Sequence, residues 1–197
     1  MATLIGQPFD WASLAQYKIG GRFLDGYPPD RMTFYSPRED CHSVLKAVLG
    51  SAQRSIVGNV YGFDDPDLND IIVQAVTAEH CFVQLSLDKT QAAGVHERAL
   101  LSALLDLRGT PGFSLAIGTS SKHAISHLKV CIVDGTYLIT GSTNWSLSGE
   151  QQQDNELSIS RNAVLAAEAR AILDLNHTFM LTQPQPVNPS PVPDVQT

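Results

Sequence analysis

Between residues 127 and 144 the chain sets out four side chains that can handle a phosphate: His127, Lys129, Ser142 and Asn144. Side chains alternate faces along a strand, so His127 and Lys129 are expected on one face and Leu128 and Val130 on the other. Asp134-Gly135 is a strong turn pair. Leu128 to Val133 and Thr136 to Thr140 therefore read as a hairpin that brings Ser142 and Asn144 back beside His127. The expected result is an imidazole, an ammonium, a hydroxyl and a carboxamide around one point. Lys129 would neutralise the non-bridging oxygens of a phosphate, with Ser142 and Asn144 donating hydrogen bonds. His127 could attack phosphorus if one ring nitrogen is free and a carboxylate holds the other. Glu156, at the start of the next strand, is the candidate holder, with Glu150 and Asp154 close by.

Written as a pattern, the stretch is HxKx4Dx6GSxN, with Asp134 and Gly141 as the remaining fixed positions. Six specified residues arise by chance on the order of once in tens of millions of starts, taking each at about one in twenty. The pattern resembles the HKD motif of the phospholipase D superfamily. The likeness extends to Phe34-Tyr35-Ser36-Pro37, Tyr61-Gly62-Phe63, Asp88 and Asn155-Glu156, which look like the small nucleases of that superfamily, and it covers about residues 32 to 180. The resemblance implies that His127 is the nucleophile, that Lys129 and Asn144 bind phosphate, and that Ser142 supports them. It makes Asp134 the motif aspartate, mainly structural in the family but grouped here with the catalytic set, and Glu156 the carboxylate that orients histidine. It implies no metal and no cofactor.

The larger enzymes of the superfamily carry two such motifs; this chain has one HxK. Two-step phosphoryl chemistry needs one histidine to attack and another to protonate the leaving oxygen and later activate water. The resemblance to the single-motif nucleases thus implies a homodimer with a shared active site. The expected activity is that of a metal-independent endonuclease on DNA or RNA, through a phosphohistidine. The second candidate is a lipid phosphodiesterase or phosphatidyl transferase, against which no amphipathic basic helix or membrane anchor is seen. The third is a catalytically silent interaction domain, against which the intact motif counts.

The elements that must position these residues read as an α/β fold, a mixed sheet with helices on both faces. Ser36-Pro37-Arg38-Glu39 suggests a capping box opening a helix, with Cys41, Val44, Leu45, Val48 and Ala52 inside. Strands follow at Ser55 to Phe63, Cys81 to Leu87, Phe113 to Ile117 and Leu157 to Ser160. Helices follow at Asp65-Pro66 onward, Ala93 to Leu107 and Ala163 to Phe179. Residues 1–31 read as an irregular extension, 32–181 as the catalytic domain, and 182–197 as a flexible proline-rich tail.

Composition sets bounds. The 197 residues, 43% hydrophobic, suit one domain with a real core. The formal net charge of -7 argues against broad phosphate contact along a duplex but allows a small cationic cleft. Cys41, Cys81 and Cys131 read as buried reduced thiols. With no signal-peptide pattern and no apolar run long enough for a membrane, a cytoplasmic protein without stable membrane insertion is expected. His42, His80, His96 and His177 show no ligand-like spacing. Asp64, Asp65 and Asp67 could suggest a metal, but a helix cap explains them better. Lys122 and His123 could add positive charge near a substrate, or be solvated loop. Trp145 reads as packing in preference to base stacking.

Overall fold

The structure, a computed structural model, describes residues 5–6, 9–78 and 81–186, with side chains omitted for 95–99. Its centre is a seven-stranded mixed sheet: β1 (Arg31–Ser36), β2 (Ser55–Val60), β3 (Phe82–Asp88), β4 (Phe113–Gly118), β5 (Lys129–Val133), β6 (Tyr137–Gly141) and β7 (Asn155–Arg161), in the order β1-β7-β6-β5-β2-β3-β4. β2, β3 and β4 run parallel, joined by helices, as crossover connections between parallel strands require. β5 pairs antiparallel with β2 and with β6, and β7 and β1 continue antiparallel. The helices are α1 (Cys41–Gly50), α2 (Pro66–Thr77), α3 (Lys89–Ala92), α4 (Val95–Asp106), α5 (Leu147–Gln151) and α6 (Ala163–Leu181).

Strand alternation sorts two cores. Ile56, Val60, Val83, Leu85, Cys131, Val133 and Ile139 join the larger one, with Val44, Leu45, Ile72, Leu101 and Leu104 from the helices. Val57 and Ile132 point the other way, against Ala166 and Leu173 of α6. Both faces of the sheet are therefore covered, as the strand-helix alternation implies. Cys41, Cys81 and Cys131 are buried thiols that form no disulfide. Among the described residues, no helix is long and apolar enough to cross a membrane.

Three local expectations are corrected. The first helix opens at Cys41, not at Pro37, and its cap is Asp40, whose side chain accepts from Ser43 N. Ser36 is the last residue of β1 and spends its hydroxyl on the carbonyls of Gly149 and Gln153. Glu39 reaches Tyr35 N, Ile19 N and Lys18 instead of completing a capping box. Second, the extension before β1, expected to be irregular, contains two short turns and packs into the core. Its two 3-10 turns, Trp11–Tyr17 and Ile19–Gly21, place Trp11 and Leu14 in the larger core, and Lys18 Nζ donates to Thr33 O. Third, the tail is docked at its start. Gln185 Oε1 accepts from Ile117 N while its Nε2 donates to Ile117 O; Gln183 does the same with Thr119. The rest of the proline-rich stretch, 187–197, lies outside the described residues.

Gly141 shows why the motif needs glycine there. Its φ is +142°, and a Cβ would collide with the carbonyl oxygen of Glu156 on the adjoining β7. Gly135, in the β5–β6 turn at φ +66°, has nothing within 4 Å of where a Cβ would stand, so only its backbone conformation is at stake. Gly141→Ala is expected to cost more than about 3 kcal/mol, and Gly135→Ala about 1 kcal/mol. Urea denaturation of the two variants checks the ranking; equal losses would show that β6 and β7 separate easily at this point.

Candidate active site

The site gathers at the N-terminal end of β5. His127 lies just before the strand and is exposed, while Lys129, its first residue, is 5% exposed. Both surround Tyr61. The His127 and Tyr61 rings are 4.6 Å apart and tilted by 58°, and Lys129 Nζ sits 4.7 Å over the Tyr61 ring. Lys129 Nζ also donates to His127 O at 3.1 Å, and Tyr61 N donates to Leu128 O. Gln91 fixes the phenol by donating to its hydroxyl at 3.0 Å. Beside His127 opens a cavity of about 150 Å³, lined also by Thr119, Ser126, Asn176 and Phe179.

Lys129 carries the main electrostatic fact. Burial lowers its pKa, and among the described residues no carboxylate forms an ion pair with it. A buried ammonium without a counter-ion is costly unless something anionic comes to it.

The register of β5 on β6, with Cys131 opposite Ile139, sets the start of β5 beside the end of β6, from which Ser142 and Asn144 follow. Ser142 is engaged with β7: its hydroxyl donates to Asn155 Oδ1 and accepts from Glu156 N, both at 3.0 Å. Asn144 lies against Gly62, where a Cβ would come within 3.2 Å of its side chain, and its Oδ1 is buried without a hydrogen-bond partner. Trp145 is 1% exposed, 5.9 Å from the Phe63 ring, and bridges to that strand end, so its role here is packing.

Two predicted residues lie away from His127. Asp134 closes the opposite end of β5, roughly 20 Å along the strand. It has a left-handed φ of 53°, and its carboxylate accepts from the backbone N–H groups of Gln53, Arg54 and Ser55. It ties the β5–β6 hairpin to the segment that opens β2. Glu156 is also absent from the histidine: among the described residues no hydrogen bond or ion pair joins them. Its Oε1 accepts from Ser158 Oγ at 2.8 Å and lies 3.8 Å from Arg31.

Positioning residues escaped the motif. Asp88, fully buried, caps α3 through Thr90 N and accepts from Ser126 N at 2.6 Å, directly before His127. Ser126 Oγ donates to Asn59 Oδ1. The signal available in the sequence was an aspartate ending an apolar strand, but its partner across 38 residues was not visible. His177 is enclosed between Ser86 and Ser114, and burial lowers its pKa. His123 sits over Phe179, with ring centroids 6.1 Å apart, and Lys122 beside it is exposed. His80 and the His96 side chain lie outside the described residues. His42, which spacing left without a role, is bonded to Glu150 at 2.7 Å in a separate cluster.

Comparison with known proteins assigns the class. Residues 45–175 match the family described as Cardiolipin synthase, PLD-like domain. The chain therefore belongs to the phospholipase D superfamily. A phospholipase D of Rickettsia bellii (strain RML369-C) is 24% identical over 134 residues, 68% of this chain and 62% of that protein, so the chain spans less than two thirds of that relative's length. Among solved structures, the phospholipase D family member Nuc from Salmonella typhimurium superposes with a TM-score of 0.67 at 24% identity, covering 77% of this chain and 95% of that one. NucT from Helicobacter pylori gives 0.63 at 22% identity, with the same coverage.

Asp134→Ala is expected to lower stability by about 2–4 kcal/mol, because three backbone donors lose a charged acceptor. Urea denaturation checks this. An Asp134→Ala protein as stable as the parent would show that the hairpin needs no such anchor.

Proposed function

We propose that this superfamily member is a metal-independent phosphodiesterase that cleaves nucleic acid through a phosphohistidine, in a site shared by two copies of the chain. The observation that carries the reading is the buried, unpaired Lys129 ammonium beside the exposed His127 imidazole. A phosphodiester supplies the anion that Lys129 lacks, and brings phosphorus within reach of His127. Asn144, half-buried next to the same strand ends, holds a non-bridging oxygen through its carboxamide. Charge neutralisation here comes from protein donors, so the chemistry at phosphorus requires no bound ion. A nucleic acid substrate suits the similarity to Nuc and NucT; a lipid phosphodiester is the alternative, favoured by the likeness to the Rickettsia bellii phospholipase D.

The dimer follows from two gaps in the single chain. One histidine cannot serve at once as nucleophile and as the acid for the leaving oxygen. In addition, Glu156 does not reach His127 within its own chain, where Ser158 and Arg31 occupy it. A two-fold axis beside His127 fills both gaps, supplying a second imidazole and allowing Glu156 of the partner subunit to hold the ring.

His127→Ala is expected to abolish cleavage of labelled DNA or RNA while circular dichroism stays unchanged; most of the activity surviving would overturn the mechanism. Heterodimers of wild-type and His127→Ala subunits are expected far below half activity, since each lacks one of two required imidazoles. Half activity would mean independent sites and would sink the shared cleft. Cleavage by protein verified as folded is expected to persist in EDTA. Its loss on chelation, with the fold intact and activity restored by a divalent ion, would count against metal independence.

A further inference from the structure

A second cluster of titratable side chains lies apart from His127, where α1, α2 and α5 meet. His42 on the first turn of α1, Asp65 at the cap of α2, and Glu150 in α5 each bring one ligand atom within 4.8 Å of the other two. Asp65 and Glu150 are wholly buried. His42 Nδ1 is 2.8 Å from Asp65 Oδ2 and 2.7 Å from Glu150 Oε2; on the far side of the ring, Nε2 is 3.3 Å from Asp67 Oδ2. Lys46 in turn pairs with Asp67.

Counting donors exposes a deficit. Asp65 Oδ1 is satisfied by the N–H groups of Asp67 and Leu68, as a helix cap should be. Asp65 Oδ2 and Glu150 Oε2 compete for the same ring nitrogen, which carries at most one proton. Asp65 Oδ2 forms no hydrogen bond of good geometry, and Glu150 Oε1 receives none from a neighbouring donor. Buried carboxylate oxygens without donors are strongly unfavourable. The cluster holds one positive charge too few.

We propose that His42, Asp65 and Glu150 form a structural site for a divalent first-row transition ion, with Asp67 supporting the imidazole from behind. One imidazole and two carboxylates are a borderline donor set that suits Zn2+ or Mn2+. A carboxylate on the second ring nitrogen is the usual partner of a metal-bound histidine, and Asp67 is so placed. The charges close: a neutral His42, two carboxylates and a dication sum to zero, while Asp67 and Lys46 cancel. Tetrahedral ligands at metal bond lengths lie roughly 3.3 Å apart, so the three groups need to spread by about half an ångström. The ion would tie α1 and α2 to α5, the helix that directly follows the Gly141-to-Asn144 stretch, and so brace the loop carrying Asn144. The competing occupant is a proton held between Glu150 and Asp65; burial first, then Asp65, pushes the Glu150 carboxyl up to about 10.

The test uses the full chain, stripped with chelator and dialysed, and reads zinc binding and melting without reading cleavage, so it stands apart from the proposal for His127. Isothermal titration with ZnCl2 should give one ion per chain, and saturating zinc should raise the melting midpoint by roughly 5 °C. His42→Ala and the near-isosteric Glu150→Gln should each weaken zinc binding at least about ten-fold, the loss expected when one of three ligands goes. Should His42→Ala fail to fold, Glu150→Gln decides alone. No bound zinc and no midpoint shift in the parent chain would overturn the site in favour of the shared proton. Zinc binding unchanged in Glu150→Gln would overturn it too, placing the ion elsewhere.

Discussion

The strand that carries Lys129, with His127 just before it, is held at both ends by carboxylates that accept backbone N–H groups. At one end Asp134 gathers three successive amides from the start of β2. At the other, buried Asp88 takes the amide of Ser126. Charge-assisted bonds of this kind are among the stronger ones in a fold. Together they tie β5 to the segment opening β2 at one end and to the end of β3 at the other. Tyr61, at the end of β2, is thereby held under His127 and Lys129. Every other feature of the site depends on this alignment, because the imidazole and the ammonium come from residues only two apart.

Under the proposed function, Lys129 would reconcile an acidic chain with an anionic substrate. A net charge of -7 spread over the surface gives little general attraction for a polyanion. One ammonium withdrawn from water and left without a carboxylate acts over a short range, where low local dielectric makes it strong. Binding of a single phosphate, as proposed, would then need no basic patch. The cost is the desolvation of Lys129, which the aromatic face of Tyr61 and the carbonyl of His127 offset in part.

Much of this was legible in the sequence, and what was not has a common cause. The Asp134-Gly135 turn, the alternation of the strands and the fixed motif positions are local features, and the hairpin follows from them. The cap at Asp65-Pro66 was equally local. Ser36 misled because its neighbours fit a capping pattern, whereas its hydroxyl is claimed by α5, more than a hundred residues on. The partnership of Asp88 with Ser126, the docking of Trp11 and Leu14, and the meeting of His42 with Glu150 are likewise long-range. No spacing rule reports which side chains a fold brings together from distant elements. Glu156 illustrates the converse: its position in the chain was found, but its neighbour Arg31 came only with the pairing of β1 on β7.

The two glutamines on β4 have a consequence for how the molecule keeps to itself. An outer strand normally offers a row of open amides and carbonyls to any passing chain. Here the carboxamides of Gln185 and Gln183 mimic a further strand, each filling both the donor and the acceptor of one residue, Ile117 and Thr119. Side chains thus close the ladder without extending it. At these two residues the border of the sheet has no open amide or carbonyl left for another chain to pair with.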